Sequence, residues 1–370
     1  MADQQRRIRK KSKQLISDDD EPSILPMKKQ KKQSPTATTS VNSTSVVTKT
    51  LLDDANSGYK NGNFVCSPLS LDIILGMLAA GAEGQTLKLL LEFLGHESKE
   101  NFLSKSPSSK LFKKKISNPK AGLECSFANG VWVDKKVEPV QSSYQKVLKT
   151  VYKTKVSSVD FGNKRDRAVD VINLWVHKGT KDLIPFIVEK SDLDRESVML
   201  IANAMYFKGT WSDPFDTDGT IEEKFNLING GGKKAGLKKL LQNFHSNDAL
   251  FHGEFNLTPQ KFDKLWIPKF KISCNFEPKD VMKQMGLTLP FEKMNKELSG
   301  IVEPDVMLYV SKILQKSFVE IDEKGTEAAA CSAIDACAFK WCGKVVIAPG
   351  QGNADAKCDL DEDKIRGVWL

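Results

Sequence analysis

From about Val47 onward, hydrophobic and polar positions fall into alternating helical and strand-like periods. Ser67-Pro68-Leu69-Ser70 places a capping hydroxyl and a proline ahead of a crowded apolar run, Leu69 to Ala80. The spacing predicts a helix that ends at Gly81-Ala82-Glu83-Gly84. A second amphipathic run, Leu87 to Leu94, stops at Gly95. Phe127 to Val133 reads as a strand, and Val169, Ile172, Trp175 and Val176 recur at helical spacing. Val198 to Phe207 is nearly continuous apolar sequence, which predicts a central strand buried on both faces. Leu265 to Ile272 alternates after Pro268 as a half-exposed strand, and another strand lies within Val306 to Ile321. Helices and strands interleave without the regular spacing of a doubly wound fold.

Residues 1–44 do not share these patterns. They hold two basic clusters, one formed by Arg6, Arg7, Arg9, Lys10 and Lys11, the other by Lys28, Lys29, Lys31 and Lys32. An acidic run, Asp18 to Glu21, and a Ser/Thr-rich stretch complete the segment. So little apolar surface does not offset the entropy of ordering, and a disordered basic tail is expected over 1–44. Both clusters resemble nuclear-import signals, so an import receptor is an expected partner. The net charge of the 370 residues is +8, and residues 1–50 carry 11 Lys/Arg against 5 Asp/Glu. The remaining 320 residues are left near +2, a balance that argues against a basic nucleic-acid platform in the body.

No apolar segment follows the polar N-terminus, and no run approaches the roughly 20 apolar residues that cross a bilayer. An intracellular protein without a signal peptide or membrane partner is expected, in the nucleus, the cytoplasm or both. Cys66, Cys125, Cys274, Cys331, Cys337, Cys342 and Cys358 are odd in number and form no C-x-x-C pair. They read as reduced thiols, not as a metal site. His96, His177, His245 and His252 sit in no nucleophile or metal motif. A non-enzyme without cofactor, metal or small-molecule substrate is expected.

The most informative stretch runs from Glu320 to Ala336. Read with period two, Thr326, Ala328, Ala330, Ser332, Ile334 and Ala336 share one face, and Glu327, Ala329, Cys331, Ala333 and Asp335 the other. Small residues after Gly325 suit a strand that slides into a packed sheet with one face buried, and Gly325 permits the hinge this requires. Glu323, Gly325, Thr326, Glu327, Ala328, Ala329 and Ala330 together resemble the reactive-loop hinge of inhibitory serpins. Four further segments resemble that family, in its order. Asn203 to Trp211 is similar to its central strand and the tryptophan where insertion begins, and Ser67 to Ser70 to its buried serine motif. Ile172 to Val176 is similar to the helix crossing the sheet, and Ile267 to Ile272 to another strand.

Resemblance to plant-type serpins implies an α+β fold: a helical layer, a large central sheet, smaller sheets and an exposed reactive-centre loop, over 45–370. It implies a loop at about 325–349 and a reactive bond at Phe339–Lys340. It also implies a polar cluster of Ser67, Ser70, Asn203 and Gln315 below the sheet, with Gln315 where the family carries histidine. The partner implied is a serine or cysteine protease, trapped covalently when the cut loop inserts. The alternative is a non-inhibitory or degenerate relative, acting in the nucleus.

Asn226 to His252 departs from the family, and the tail at about 341–370 replaces two apolar C-terminal strands, leaving the smaller sheets incomplete. Losing about ten buried apolar side chains at about 1.5–3 kcal/mol each outweighs a typical net stability of about 5–15 kcal/mol. Either the altered tail refills that space or the native state is weakened.

Overall fold

Ser67 caps the helix on which the central sheet rests: its hydroxyl accepts from the Ser70 N–H at 3.2 Å, and Pro68 follows at the first helical position. The computed structural model describes residues 43–56, 64–105, 122–137, 139–221, 267–302 and 306–339. Within them lie helices α1 (Ser43–Asn56), α2 (Pro68–Ala80), α3 (Gly84–Phe93), α4 (Lys99–Lys105), α5 (Ser142–Thr150), α6 (Arg165–Gly179) and α7 (Lys279–Gln284). The strands are β1 (Leu123–Asp134), β2 (Val156–Val159), β3 (Ser197–Thr210), β4 (Phe270–Phe276), β5 (Met307–Ile321) and β6 (Gly325–Phe339). Helix α1 takes in the last two residues of the expected tail, Ser43 and Thr44. The N-terminal basic clusters, the stretch Asn226 to His252 and the tail from Lys340 onward lie outside the described residues.

All six strands form one sheet in the order β2-β1-β3-β6-β5-β4. Only β1 and β2 pair in parallel; every other neighbour is antiparallel. Helix α2 is apolar nearly all round and buried nearly all round, as such a helix must be. With α3, α4 and α5 it packs on one face of the sheet against Met199, Ile201, Ile313 and Ile334. Helix α6 crosses the other face and lays Ala168, Val169, Ile172 and Val176 over Leu200, Ala202 and Ala204. β4 alternates buried and exposed residues without a break, as a strand covered on one face does.

Three expectations are corrected. The exposed loop is not found over 325–339: this segment is a sheet strand between β3 and β5, paired from Gly325 to Cys337 on one side and from Thr326 to Phe339 on the other. The strand is buried on both faces rather than one, because α6 covers the side that carries Ala329, Cys331 and Ala333. β3 is buried on both faces only as far as Ala204; Phe207 is 38% exposed. Helix α6 ends at Gly179, whose added Cβ would stand 3.1 Å from that of Ala204, and beyond this point the helix no longer shields the strand.

Candidate functional site

A three-residue turn, Asp322-Glu323-Lys324, joins β5 to β6. The Asp322 carboxylate accepts from the Lys324 and Gly325 N–H groups at 2.8 and 2.9 Å, and the Asp322 N–H donates to the Gly325 carbonyl at 3.0 Å. An aspartate side chain that bonds the backbone two and three residues on favours a tight turn. Gly325 is required for a second reason besides hinge freedom. A Cβ there would lie 2.0 Å from the Gly209 carbonyl oxygen and 2.9 Å from Thr210 Cα, so backbone would collide with it.

Trp211 clamps the turn from the side. Its backbone N–H donates to the Lys324 carbonyl and its indole Nε1–H to the Asp322 carbonyl, both at 2.9 Å. The ring packs on the small cluster of Phe270, Ile272, Val319 and Ile321. The Glu323 carboxylate accepts from Thr220 Oγ1 at 2.8 Å and from Lys269 Nζ at 3.0 Å. These contacts, with a backbone N–H as the largest influence, pull its pKa down to about 2. Glu327 accepts from Tyr206 Oη at 2.6 Å and faces Lys208 at 3.4 Å. Burial, followed by this carboxylate, pushes the Tyr206 hydroxyl pKa up.

Small residues fill the middle of β6 for steric reasons. Ala329, Cys331 and Ala333 lie beneath α6, while Ala330, Ser332 and Ile334 face α2, and all six are buried. Burial pushes the Cys331 thiol pKa well up. The antiparallel register brings Ser332 opposite Asn203 on β3 and Gln315 on β5. Ser67, Ser70, Asn203 and Gln315 meet there, with Ser332 as the link. Gln315 Nε2 donates to Ser332 Oγ at 2.8 Å and to the Ser67 carbonyl at 2.9 Å, and Gln315 Oε1 accepts from the Ser67 N–H at 3.0 Å. Ser70 Oγ lies 2.9 Å from Ser332 Oγ and 2.8 Å from Asn203 Oδ1. One hydroxyl proton each allows a single direction: Ser332 donates to Ser70, and Ser70 to Asn203. Asn203 Nδ2 then donates to Asn129 Oδ1 at 2.9 Å.

Further along, the buried Asp335 carboxylate accepts from the hydroxyls of Ser197 and Ser311. Phe339 is the last residue of β6, opposite Met307; Lys340 lies outside the described residues. The pattern alone did not single out Ser332, Asn129, Lys269 or Thr220 as members of this site. Ser332 had one available signal, a lone hydroxyl among alanines on the strand face that holds Ile334.

The serpin (serine protease inhibitor) family model matches residues 42–247 and 232–348. Serpin-Z10 of Arabidopsis thaliana is 32% identical, with 73% of this chain and 81% of that protein covered. Among solved structures, ovalbumin from emu (Dromaius novaehollandiae) superposes with a TM-score of 0.68 at 21% identity, over 83% of this chain and 93% of that one. Reaction-loop-cleaved lamprey angiotensinogen superposes with a TM-score of 0.66 at 24% identity, over 80% and 97%. With the family match across most of its length, a plant relative at this identity and the same fold around the sheet, this chain is a plant-type member of the serpin family.

Proposed function

We propose that this chain inhibits serine or cysteine proteases as a suicide substrate. The observation that carries this reading is the fit of β6, whose small side chains pass between two packed layers and whose Ser332 completes a buried hydrogen-bond chain. β3 and β5 both run antiparallel to β6 and are therefore parallel to each other. Before insertion they would meet directly in a parallel ladder. Inserting β6 replaces that ladder with two antiparallel ones, each somewhat stronger per residue. The protease nucleophile attacks the Phe339 carbonyl carbon, the peptide C–N bond breaks, and the Lys340 nitrogen departs as a protonated amine. The acyl link leaves the protease bound to the end of the strand that inserts. Plant relatives bearing the serpin name support the reading.

The test is incubation with a chymotrypsin-like protease, followed by denaturing electrophoresis. A covalent complex at the summed mass is expected. Cleavage after Phe339 with no such complex, across a panel of serine and cysteine proteases, sinks the proposal.

A second reading rests on the continuity of the β5–β6 turn. The strand sits in the sheet in the uncut chain, and in that state Gly325 to Phe339 are not offered to a protease as an exposed loop. Such chains are inert as inhibitors. The two N-terminal basic clusters support nuclear import of either form; deleting residues 1–44 is expected to abolish nuclear accumulation, and unchanged localisation removes that reading.

A further inference from the structure

The near-neutral charge of the body conceals a strong polarity. Residues 99–155 contain 13 Lys and 4 Asp/Glu, a net of +9 in 57 residues. With +8 for the chain and +6 for residues 1–50, the rest of the body carries −7. The fold gathers six of these lysines at one border of the sheet. α5 turns Tyr144 and Leu148 inward and Lys146 and Lys149 outward. Lys153 and Lys155 follow on the way into β2, the edge strand, and Lys135 and Lys136 follow β1, with which β2 pairs. All six lysines are exposed. From the register Val131↔Val156, Lys155 and Lys135 are about 16 Å apart along this border, taking about 3.3 Å per residue.

Two observations say what this face takes. The described lysine ion pairs join Lys49, Lys181, Lys190, Lys208, Lys269, Lys271, Lys293 and Lys312 to carboxylates outside residues 135–155, and none uses a lysine from 135–155. Moreover, none of the exposed large hydrophobics among the described residues lies in that segment. A protein interface needs apolar or aromatic anchors, a membrane-bound basic segment needs an apolar second anchor, and single-stranded nucleic acid needs aromatic stacking platforms. Residues 135–155 offer none of these and contain no arginine fork to read base edges. It offers point charges over a span equal to about half a turn of duplex.

We propose that the α5–β2 border of the body binds the phosphate backbone of double-stranded nucleic acid without sequence preference, independently of the N-terminal tail and of protease inhibition. The test follows a fluorescent 20-bp DNA duplex by anisotropy between about 50 and 200 mM salt, using the full chain. In one variant both tail clusters are neutralised (R6Q, R7Q, R9Q, K10Q, K11Q, K28Q, K29Q, K31Q, K32Q). In a second, K146Q, K149Q and K155Q are added, and unchanged thermal melting checks its fold. Tail-neutralised protein is expected to keep salt-dependent binding. The three further substitutions should reduce the log–log salt slope by about 0.9 per lysine and weaken binding by roughly tenfold or more. Loss of all binding on tail neutralisation, a slope unmoved by the body substitutions, or tighter binding to phosphatidylserine vesicles than to the duplex each overturns the proposal.

Discussion

Ser332 lies midway along β6 and, among the described residues, is the one hydroxyl of the strand seen to bond the helical layer beneath it. Truncating it leaves a buried Gln315 N–H without its acceptor and Ser70 without a donor, so Ser332→Ala is expected to destabilise the protein by about 1–3 kcal/mol in urea unfolding. Gln315 stands where a titratable histidine is expected in the family, and it holds both the Ser67 backbone groups and Ser332 without changing charge. At the hinge, Gly325→Ala drives a methyl group into the Gly209 carbonyl. The turn cannot close around it, and the variant is expected to release the N-terminal end of β6, seen as faster amide exchange at Thr326 to Ala330. Unchanged exchange there means the clash is relieved elsewhere. Glu323 supplies the acid sensitivity of the same turn. Its pKa is lowered on folding, so its contribution is complete above the ordinary 4.5 and fades as pH falls toward about 2. In Glu323→Gln the loss of hinge protection over that window should flatten.

β6 behaves as a unit because it is one strand held on both edges and both faces. Cys331 has no solvent exposure at its centre, and burial disfavours its thiolate. It is therefore a reporter of the strand's position: chains with β6 inserted resist iodoacetamide at Cys331, and chains with the segment outside the sheet react. Peptide mass mapping of uncut protein after brief labelling is expected to find Cys331 largely unmodified. Rapid, complete labelling in native buffer would mean the segment lies outside the sheet. Element boundaries follow the same logic of shared layers. β3 loses its burial where α6 stops at Gly179, and β4 alternates because only one of its faces is covered.

For the whole molecule, the proposed inhibition requires a state with the β6 segment outside the sheet besides the inserted one, and this ties inhibition to stability. The inhibitory fraction and the fraction labelled at Cys331 should be the same molecules, so the yield of covalent complex is expected to rise and fall with labelling across preparations. Protease trapping by chains protected at Cys331 breaks that link. Cutting the Phe339–Lys340 bond should raise the melting temperature of the labelled population and leave the protected population nearly unchanged, since the protected chains already hold the extra strand.

Local patterning was enough for the capped helix at Pro68, the amphipathic α6, and strands β1, β3, β4 and β5, because each carries its burial in its own spacing of apolar residues. It was also enough for the small-residue run after Gly325, whose period of two and lack of bulk are local properties. α5 escaped it, a nine-residue helix with only Tyr144 and Leu148 buried. Where β6 lies is a different kind of question. The same fifteen residues suit an exposed loop or a central strand, and the choice depends on a gap between β3 and β5, on the Gln315 donor and on the Ser70 hydroxyl from far away in the chain. Pairing between distant segments determines those neighbours, so only the folded sheet decided that Ser332 closes the polar chain and that both faces of β6 are buried.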